Sequence, residues 1–295
     1  MKILWIGFGK MGEPMALRAA AAGFELTVFD ASETRMEAAA SHGLATARDA
    51  GEAAAAVDAI VSSLPNDAAA LAVLGSTEGI LAKARRSAVL IETSTISVAA
   101  SAEVARIAAT RDVAYVRAPV SGTVDAAAEG RLTSILSGPD EAQVRARTLI
   151  ESYSAKLMPV GETEQARVMK LAINLMVTTL IASLAEAYAL CRKGGIDPTT
   201  ALRAIGDSAI GSPHLRFKAA SLERGDFSPT FTVSQIRKDM KLINEAGRDL
   251  GVPLIVGAAV DQIMTATDAV GLSEEDYVAC AKLVAQLAGL AEPSR

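Results

Sequence analysis

The sequence predicts an α/β protein with a doubly wound, mostly parallel N-terminal sheet, followed by an all-α C-terminal domain. Three observations support this fold class. Short apolar runs alternate with Ala-rich segments before Gly161, a glycine-rich turn follows the first apolar run, and long helical segments without strand patterns follow Gly161. Alternation of strands and helices is typical of a parallel sheet that helices cover on both faces.

The strands are predicted by short runs of aliphatic and β-branched residues that end at polar or glycine-containing turns. The five principal runs are residues 3–7, 25–30, 58–64, 88–92 and 113–117. Two further runs, residues 132–137 and 155–159, are expected to add edge strands. Between them the pattern predicts helices over residues 11–22, about 32–41 with Ser32 as the N-cap, and 98–110.

The second half is predicted to be helical throughout. A long helix is expected from about Glu162 to Lys193, where Gly194-Gly195 is a helix-stop signal. It is followed by helical segments at residues 198–208, 213–223, 233–250, 253–270 and 274–290. We therefore expect a dinucleotide-binding domain over residues 1–161 and a helical substrate-binding and oligomerisation domain over residues 162–295, joined by the long helix.

Composition narrows the class of protein. The chain has 295 residues, of which 51% are hydrophobic and 21% charged, with a net charge of −5. Its charges are interspersed, so no basic stripe favours nucleic acid. The first strand begins at once after Met1-Lys2, which disfavours a signal peptide, and polar residues such as Asn174 and Glu186 interrupt the longest apolar helix. We expect a cytoplasmic protein that binds neither nucleic acid nor membrane.

Four residues bear on metal and disulfide chemistry. Cys191 and Cys280 lie far apart in helical patterns, which disfavours a disulfide framework. His42 and His214 are too few for a histidine-based metal site. We therefore expect no metal site.

The glycine-rich turn is the strongest local signal. The first strand enters a G-x-G-x-x-G turn, and a helix leaves it, which is the context of a dinucleotide pyrophosphate site. Gly7 permits the tight turn, Gly9 lets the backbone approach phosphate oxygens, and Gly12 lets the helix pack close to the strand. The predicted cofactor-binding residues of this turn are Gly7, Phe8, Gly9, Lys10, Met11 and Gly12.

Asp30 refines the cofactor prediction. It closes the second predicted strand, where a carboxylate can accept hydrogen bonds from both adenosine ribose hydroxyls and repel a 2′-phosphate. Arg35 lies nearby and could hold that phosphate, although a solvated helix face is the stronger interpretation. The sequence thus favours NAD over NADP.

A polar turn with the sequence APVSGT, residues 118–123, follows the fifth principal strand. It lies at the edge of the sheet where ligands bind. The Ser121 hydroxyl and the neighbouring backbone N–H groups could bind a substrate carboxylate, and an ordinary Pro/Ser/Gly turn is an equally good interpretation.

Lys170 and Asn174 are four residues apart and share one face of the long helix. Their neighbours are apolar, and a desolvated lysine has a lowered pKa that suits acid–base chemistry. On the pattern alone, a lysine that extends to solvent at the domain edge is the stronger interpretation.

Four segments in one order together resemble the β-hydroxyacid dehydrogenase family, which includes 3-hydroxyisobutyrate dehydrogenase and tartronate semialdehyde reductase. They are residues 4–16, 118–122, 161–174 and Lys238-Asp239. The resemblance covers nearly the whole chain. It implies a Rossmann-type domain, a long interdomain helix, a helical C-terminal domain, and a homodimer or homotetramer built through that domain.

The resemblance also implies roles for the residues at the matching positions. Lys170 matches the catalytic lysine and Asn174 its partner. Ser121, Gly122 and Thr123 match the substrate-binding motif for a small carboxylate-bearing substrate.

Further positions match cofactor contacts of the family. Leu64, Pro65 and Asn66 match the loop after the fourth strand. Thr95 matches a residue beside the nicotinamide, and Lys238 one that closes over the cofactor.

Two residues depart from the family pattern. Family members commonly have aspartate at the position of Arg117 and glycine at that of Thr123. Arg117 could add positive charge for an acidic substrate or point to solvent, and Thr123 would narrow the pocket if it points inward. Both departures leave the substrate open.

The expected reaction is reversible hydride transfer between NAD and a small β-hydroxy acid, with Lys170 as general acid and base. An NADP-dependent carbonyl or imine reductase is the first alternative. Related imine reductases usually replace the lysine, so Lys170 favours a carbonyl/alcohol couple. A non-catalytic cofactor-binding protein is the second alternative.

Overall fold

The computed structural model of the chain describes residues 1–76 and 79–290. The chain divides into two compact units, of which the first is Met1–Lys170 and the second begins at Leu171. The first unit is α/β and the second is mostly helical, which confirms the predicted fold class.

The first unit contains a nine-stranded sheet. Its strands are β1 (Lys2–Ile6), β2 (Glu25–Phe29), β3 (Ala45–Thr46), β4 (Ala59–Ser62), β5 (Val89–Glu92), β6 (Ala114–Arg117), β7 (Val120–Ser121), β8 (Leu132–Ser137) and β9 (Ser154–Gly161). The strand order is β3-β2-β1-β4-β5-β6-β8-β7, and β9 also pairs with β8. The strands from β3 to β6 are parallel, and β8 is antiparallel to β6 and β7.

Helices cover both faces of this sheet. The helices of the first unit are α1 (Gly12–Ala21), α2 (Glu33–Ser41), α3 (Ala50–Ala54), α4 (Asp67–Ala70), α5 (Ile80–Lys83), α6 (Val98–Ala109), α7 (Val124–Ala128) and α8 (Asp140–Glu151). Alternate residues of β1 belong to different cores, since Ile3 and Trp5 pack in one cluster and Leu4 and Ile6 in the other. Burial on both faces is typical of a parallel strand within a doubly wound sheet.

The remaining helices begin with α9 (Gln165–Lys193), which crosses the boundary between the units. It is followed by α10 (Pro198–Asp207), α11 (Pro213–Arg224), α12 (Val233–Asp249), α13 (Ile255–Thr267) and α14 (Cys280–Leu287). Their ends follow local chemistry. Pro198 and Pro213 occupy first-turn positions, Thr232 and Gln235 form a capping box for α12, and Gly225 ends α11 in the left-handed conformation.

Two details of the predicted elements were wrong, and a third was right in position only. Strand β8 is not an edge strand, because it pairs with β7 on one side and β9 on the other. The last helix begins at Cys280 rather than near residue 274, since Asp276 forms a bridge with Thr232 and starts a 3₁₀ turn instead. Ser32 occupies the N-cap of α2, but its side chain forms no capping hydrogen bond.

Within residues 1–76 and 79–290, two helical stretches, Gln165–Lys193 and Ile255–Leu272, are long and apolar enough to cross a membrane by length and composition alone. Core helices of soluble proteins pass the same test. Among the described residues, no group of three or more His, Cys, Asp or Glu side chains could hold a metal ion.

Candidate functional site

The carboxyl ends of the central parallel strands meet at one edge of the sheet. The register aligns Ile6 with Ser62, Ser62 with Glu92, and Glu92 with Arg117. The segments that follow these four residues therefore leave the sheet side by side. They carry the glycine turn and the residues around Leu64, Thr95 and Ser121. Ligands of open α/β sheets bind at this edge.

Two of the three glycines in the turn are required by packing. Gly7 has a φ of +89°, and a Cβ there would lie 2.2 Å from the Ser63 carbonyl oxygen. A Cβ on Gly12 would lie 2.0 Å from the Gly7 carbonyl oxygen. Gly12 thus lets the start of α1 pack closely against the turn itself and against Ser63, the residue that follows β4.

Gly9 differs from both. A Cβ on Gly9 would meet nothing within 4 Å, so packing does not require a glycine there. The open space lies in front of the turn at the N-terminus of α1, whose N-cap residue Met11 makes no side-chain capping bond. Uncapped N–H groups and the positive end of the helix dipole favour an anion here. These residues fit a dinucleotide pyrophosphate.

The Asp30 carboxylate joins the end of β2 to the glycine turn. One oxygen accepts the Phe8 N–H at 2.7 Å, and the other accepts the Ser32 N–H at 2.8 Å. Each carboxylate oxygen can accept a second hydrogen bond, so capacity for ribose hydroxyls remains. The turn and its acidic residue therefore form one hydrogen-bonded structure.

Arg35 lies on α2 with a half-exposed side chain, in agreement with a solvated helix face, and it also faces a carboxylate. Its guanidinium lies 3.6 Å from the Glu13 carboxylate, and the other oxygen of Glu13 lies 3.4 Å from His42 Nε2. Glu13 stands in the first turn of α1. The cation nearest to Asp30 in sequence thus already faces a carboxylate.

The loop after β4 is held by its own polar groups. The Leu64 N–H donates to Ser94 Oγ at 2.7 Å, and Asn66 Oδ1 accepts the Ala69 N–H at 2.9 Å as the N-cap of α4. Pro65 and Asn66 are exposed. The Asn66 side chain is thus already committed to a helix cap.

A buried ion pair lies behind the Ser94–Thr95 segment. Arg167, in the first turn of α9, pairs with Glu92 at the end of β5, and both side chains are at most 1% exposed. Arg167 also donates to the Ser94 carbonyl oxygen at 2.7 Å, to Tyr115 Oη at 3.0 Å and to Ser101 Oγ at 3.1 Å. The guanidinium therefore links α9 to β5, β6 and α6.

The electrostatics of this network keep its charges in place. Burial by itself would lower the pKa of Arg167, but the Tyr115 hydroxyl, as a hydrogen-bond acceptor, and the Glu92 carboxylate outweigh burial, and the net direction is upward. Burial raises the pKa of Tyr115, so its hydroxyl stays neutral. Sequence reasoning missed this network. The available signal was an acidic residue, Glu92, closing an otherwise apolar buried strand.

Arg117 fulfils neither of its two expected roles. It is 5% exposed, pairs with Glu164 just before α9, and lies 4.3 Å over the Tyr115 ring. Its charge is therefore neither in solvent nor free for an acidic substrate. It fixes the segment that leads into α9.

The APVSGT turn begins as a strand and ends as a helix cap. Ser121 pairs with Thr133 of β8, and Gly122 has a φ of +143° with only 2.6 Å between a hypothetical Cβ and Leu132 Cδ2. Thr123 is exposed, and its Oγ1 accepts the Ala126 N–H at 3.2 Å as the N-cap of α7. A glycine at this position would have no side chain to form this bond.

Lys170 and Asn174 lie on successive turns of α9, as predicted. Asn174 is buried, and its Nδ2 donates to Asp239 Oδ2 at 2.6 Å. The other oxygen of Asp239, which is 1% exposed, lies 3.2 Å from Lys238 Nζ. Asp239 therefore links two predicted site residues, Asn174 and Lys238, although its own side chain was not a predicted site residue.

Comparisons with known proteins identify the family. Residues 2–161 match the NAD binding domain of 6-phosphogluconate dehydrogenase, and residues 165–284 match the NAD-binding domain of NADP-dependent 3-hydroxyisobutyrate dehydrogenase. The chain belongs to the β-hydroxyacid dehydrogenase family. It is an enzyme, an NAD(P)-dependent oxidoreductase that transfers hydride on β-hydroxy acids.

Individual relatives align with this chain over most of their length. The chain is 32% identical to 2-(hydroxymethyl)glutarate dehydrogenase of Eubacterium barkeri, over 98% of this chain and 97% of the relative. It is 30% identical to a probable 3-hydroxyisobutyrate dehydrogenase of Mycobacterium tuberculosis, over 87% of this chain and 88% of the relative.

Solved structures of related enzymes are also similar to this chain in fold. The 3-hydroxyisobutyrate dehydrogenase of Mycobacterium tuberculosis with L-serine has a TM-score of 0.89 at 27% identity, covering 96% of this chain and 98% of that one. An imine reductase from Pseudomonas sp. has a TM-score of 0.62 at 18% identity, over 95% of this chain and 98% of that one. The second likeness shows a shared fold alone.

Proposed function

We propose that this dehydrogenase interconverts a small β-hydroxy acid and its semialdehyde with NAD, and that Lys170 is the general acid and base. The observation that carries the assignment is the place of Lys170 on α9. It follows the buried Arg167 by one turn and precedes the buried Asn174 by one turn. A lysine between two fixed side chains has a defined position from which to move a proton.

The chemistry divides between cofactor and protein. When bound, the nicotinamide supplies or accepts the hydride. During oxidation, neutral Lys170 Nζ accepts the proton of the substrate hydroxyl, and during reduction the ammonium returns it to the carbonyl oxygen. Asn174, held by Asp239, orients the reacting oxygen.

Ser121, Gly122 and Thr123 are proposed to hold the substrate carboxylate. The Ser121 hydroxyl and the backbone N–H groups of the turn are suitable donors. The Thr123 hydroxyl already accepts a hydrogen bond from the Ala126 N–H. Thr123 can therefore contribute to carboxylate binding by donating a hydrogen bond from its hydroxyl or from its backbone N–H. Arg117 takes no part in this recognition, because Glu164 neutralises it.

The substrate class follows from the chemistry that the relatives' names share. The names include 2-(hydroxymethyl)glutarate, 3-hydroxyisobutyrate and L-serine. Each compound carries a primary alcohol on the carbon attached to the α-carbon of a carboxylate. We expect this chain to accept acids of the form HOCH₂–CHR–COO⁻.

The cofactor is proposed to bind along the carboxyl edge of the sheet. The turn from Gly7 to Gly12, with Phe8, Lys10 and Met11, holds the pyrophosphate, and Asp30 holds the adenosine ribose. The remaining proposed contacts are Leu64, Pro65, Asn66, Thr95 and Lys238. NAD is favoured over NADP because Asp30 repels a 2′-phosphate. The Glu13 carboxylate adds to this preference, since it already faces Arg35.

Cofactor preference is tested by titrating the protein with NAD and NADP and following tryptophan fluorescence. We expect NAD to bind at least about tenfold more tightly, which corresponds to about 1.4 kcal/mol. Glu13→Gln should release Arg35 and narrow the difference, whereas Lys2→Gln, which removes another exposed ion pair, should not. Tighter binding of NADP by the unmodified chain would contradict the assignment of Asp30.

The role of Lys170 is tested by Lys170→Ala, assayed by reduced-cofactor absorbance on a panel of β-hydroxy acids. Loss of a positioned acid–base group should lower kcat by about 10²–10⁴-fold. NAD affinity should change little, because the glycine turn is unaltered. The matched control is Lys156→Ala on β9, an exposed lysine that should leave kcat unchanged.

Retention of most activity by Lys170→Ala would refute the assignment. The same panel, extended to cyclic imines with NADPH, tests the reductase alternative. Higher turnover of imines than of hydroxy acids would favour it.

The helical unit has a surface suited to assembly. Large apolar side chains of the helical unit are exposed, including Ile255 at 79% and Leu287 at 77%. Surfaces of this kind are typical of protein interfaces. We expect a soluble cytoplasmic homodimer or homotetramer that binds no nucleic acid. Residues 1–161 would bind the dinucleotide, and residues 162–295 would serve substrate binding and assembly.

A further inference from the structure

The buried Arg167 network has a direct connection to the loop that carries Thr95. Ser94 is fixed at three atoms. Its carbonyl oxygen accepts from Arg167 at 2.7 Å, its N–H donates to Glu92 Oε1 at 2.9 Å, and its Oγ accepts from Leu64 N–H at 2.7 Å. Thr95 is the next residue. The arginine and its carboxylate partner therefore set the path of the chain immediately before Thr95.

The same guanidinium fixes the helix that carries Lys170. Arg167 precedes Lys170 by three residues, which is one helical turn, so the two side chains move together with the backbone of α9. The start of the helix has two further ties. The Ala166 N–H donates to Ser137 Oγ at 3.1 Å, and Glu164 pairs with Arg117.

A buried ion pair is a poor device for stability alone. Removing two charges from water is costly, and apolar residues of similar volume often serve as well or better. What an ion pair with directional hydrogen bonds does provide is a single geometry. The Arg167 guanidinium uses Nε, Nη1 and Nη2 on different partners, so a small displacement of α9 would break several bonds at once.

We propose that Arg167 is a positioning residue for the reaction. With Glu92, Tyr115 and Ser101, it holds the turn that carries Lys170 and the Ser94–Thr95 loop in one fixed arrangement. The proposal rests on the proposed role of Lys170. Arg167 itself is fully buried and contacts protein groups, so it acts through its neighbours.

The test is Arg167→Lys, which retains the charge but loses the planar fork of donors. Misplacement of a catalytic group by about 1 Å can cost up to about 10²-fold in rate. We expect kcat per mole of folded enzyme to fall at least about tenfold, while the NAD dissociation constant stays within about threefold. Substrate deuterated at the hydroxyl-bearing carbon reports how far hydride transfer limits the rate. The isotope effect on kcat should be the same or larger in Arg167→Lys than in the unmodified enzyme, because hydride transfer becomes slower relative to product release.

A matched control separates positioning from general destabilisation. Leu149 on α8 is fully buried in the same unit, and Leu149→Ala should lower the melting temperature by opening a cavity. It should leave kcat per folded mole and the isotope effect unchanged.

A chemical rescue tests the same role directly. Guanidinium ion at non-denaturing concentration should restore part of the activity of Arg167→Ala, whereas an equal concentration of sodium chloride should not.

The kcat of Arg167→Lys decides whether Arg167 positions the reacting groups. A kcat for Arg167→Lys within about twofold of the unmodified enzyme, or a loss equal to that of Leu149→Ala, overturns the proposal. If Arg167→Lys does not fold, the double variant Tyr115→Phe, Ser101→Ala decides in the same way, because it removes two hydrogen bonds and keeps the charge pair. Lys170→Ala separates the two hypotheses, since it lowers kcat by about 10²–10⁴-fold if the proposed function holds, whatever the role of Arg167.

Discussion

At the scale of single residues, the three glycines of the turn have different reasons for being glycine. Gly7 and Gly12 are required by the fold, since a Cβ on either would collide with backbone oxygen. Gly9 has open space in front of it, so packing does not require a glycine there, and we expect the reason to be close approach of the cofactor. Stability and binding can therefore be separated within one hexapeptide.

The prediction concerns Gly9→Ala and Gly7→Ala. Gly9→Ala should keep the free energy of unfolding within about 1 kcal/mol of the unmodified chain, since the Cβ meets no protein atom. It should weaken NAD binding by about tenfold or more, because the methyl group occupies space that a phosphate needs. Urea unfolding and fluorescence titration measure the two effects.

Gly7→Ala is the contrasting variant. It should lose about 1–3 kcal/mol of stability or more, because alanine is strained at a φ of +89° and its Cβ faces the Ser63 oxygen. Normal NAD affinity in Gly9→Ala would show that the cofactor does not approach this residue.

At the scale of elements, helix α9 carries most of the proposed chemistry. Arg167, Lys170 and Asn174 lie on its first three turns. The sequence predicted this helix and the shared face of Lys170 and Asn174, because helical spacing is a local property. It did not reveal that Arg167 would meet Glu92 or that Asn174 would meet Asp239, because those partners are distant in sequence.

A second element-scale feature is the contact of α11 with the 3₁₀ turn before α14. His214 Nε2 lies 2.6 Å from Tyr277 Oη, and Lys218 pairs with Asp276 at 2.7 Å. Burial, and then the charge of Lys218, lower the pKa of His214, while Asp276 acts in the opposite direction. His214 is therefore neutral in the folded protein at neutral pH.

The lowered pKa of His214 predicts a loss of stability in acid. A histidine with a lowered pKa in the folded state binds protons less readily than in the unfolded chain. The associated stability is complete above the unfolded pKa of about 6.5 and is lost as pH falls from there through the folded pKa. Urea unfolding at pH 7.5 and pH 5.5 measures the loss.

The control for this prediction is His214→Gln, which keeps a hydrogen-bonding group near Tyr277 and cannot titrate. The difference in unfolding free energy between the two proteins should shrink as pH falls. A constant difference across this range would show that His214 does not contribute to the acid sensitivity.

At the scale of the whole molecule, the helical unit exposes several large apolar side chains. In helix α13, Ile255 and Val256 are 79% and 60% exposed. We expect self-association to cover them, and Ile255→Glu should shift the protein toward a monomer in analytical ultracentrifugation. The matched control is Val144→Glu on α8, an exposed apolar site in the sheet unit that should leave the mass unchanged.

A monomeric unmodified protein at micromolar concentration would contradict this expectation. If Ile255→Glu and the unmodified chain form the same oligomer, the interface lies elsewhere.

We could predict the α/β class, the glycine turn, the acidic Asp30 after β2, and the helix that carries Lys170 and Asn174 from the amino-acid sequence. Each of these depends on residues close together in the chain, where periodicity, turn chemistry and spacing act directly. Tertiary packing determines that Arg117 is buried against Glu164, and which partners Arg167 and Asn174 contact. It also decided that β8 is an interior strand and that Asp276 delays the last helix. These depend on which distant strands and helices meet, and the energy of a buried charge depends wholly on the partner it finds there.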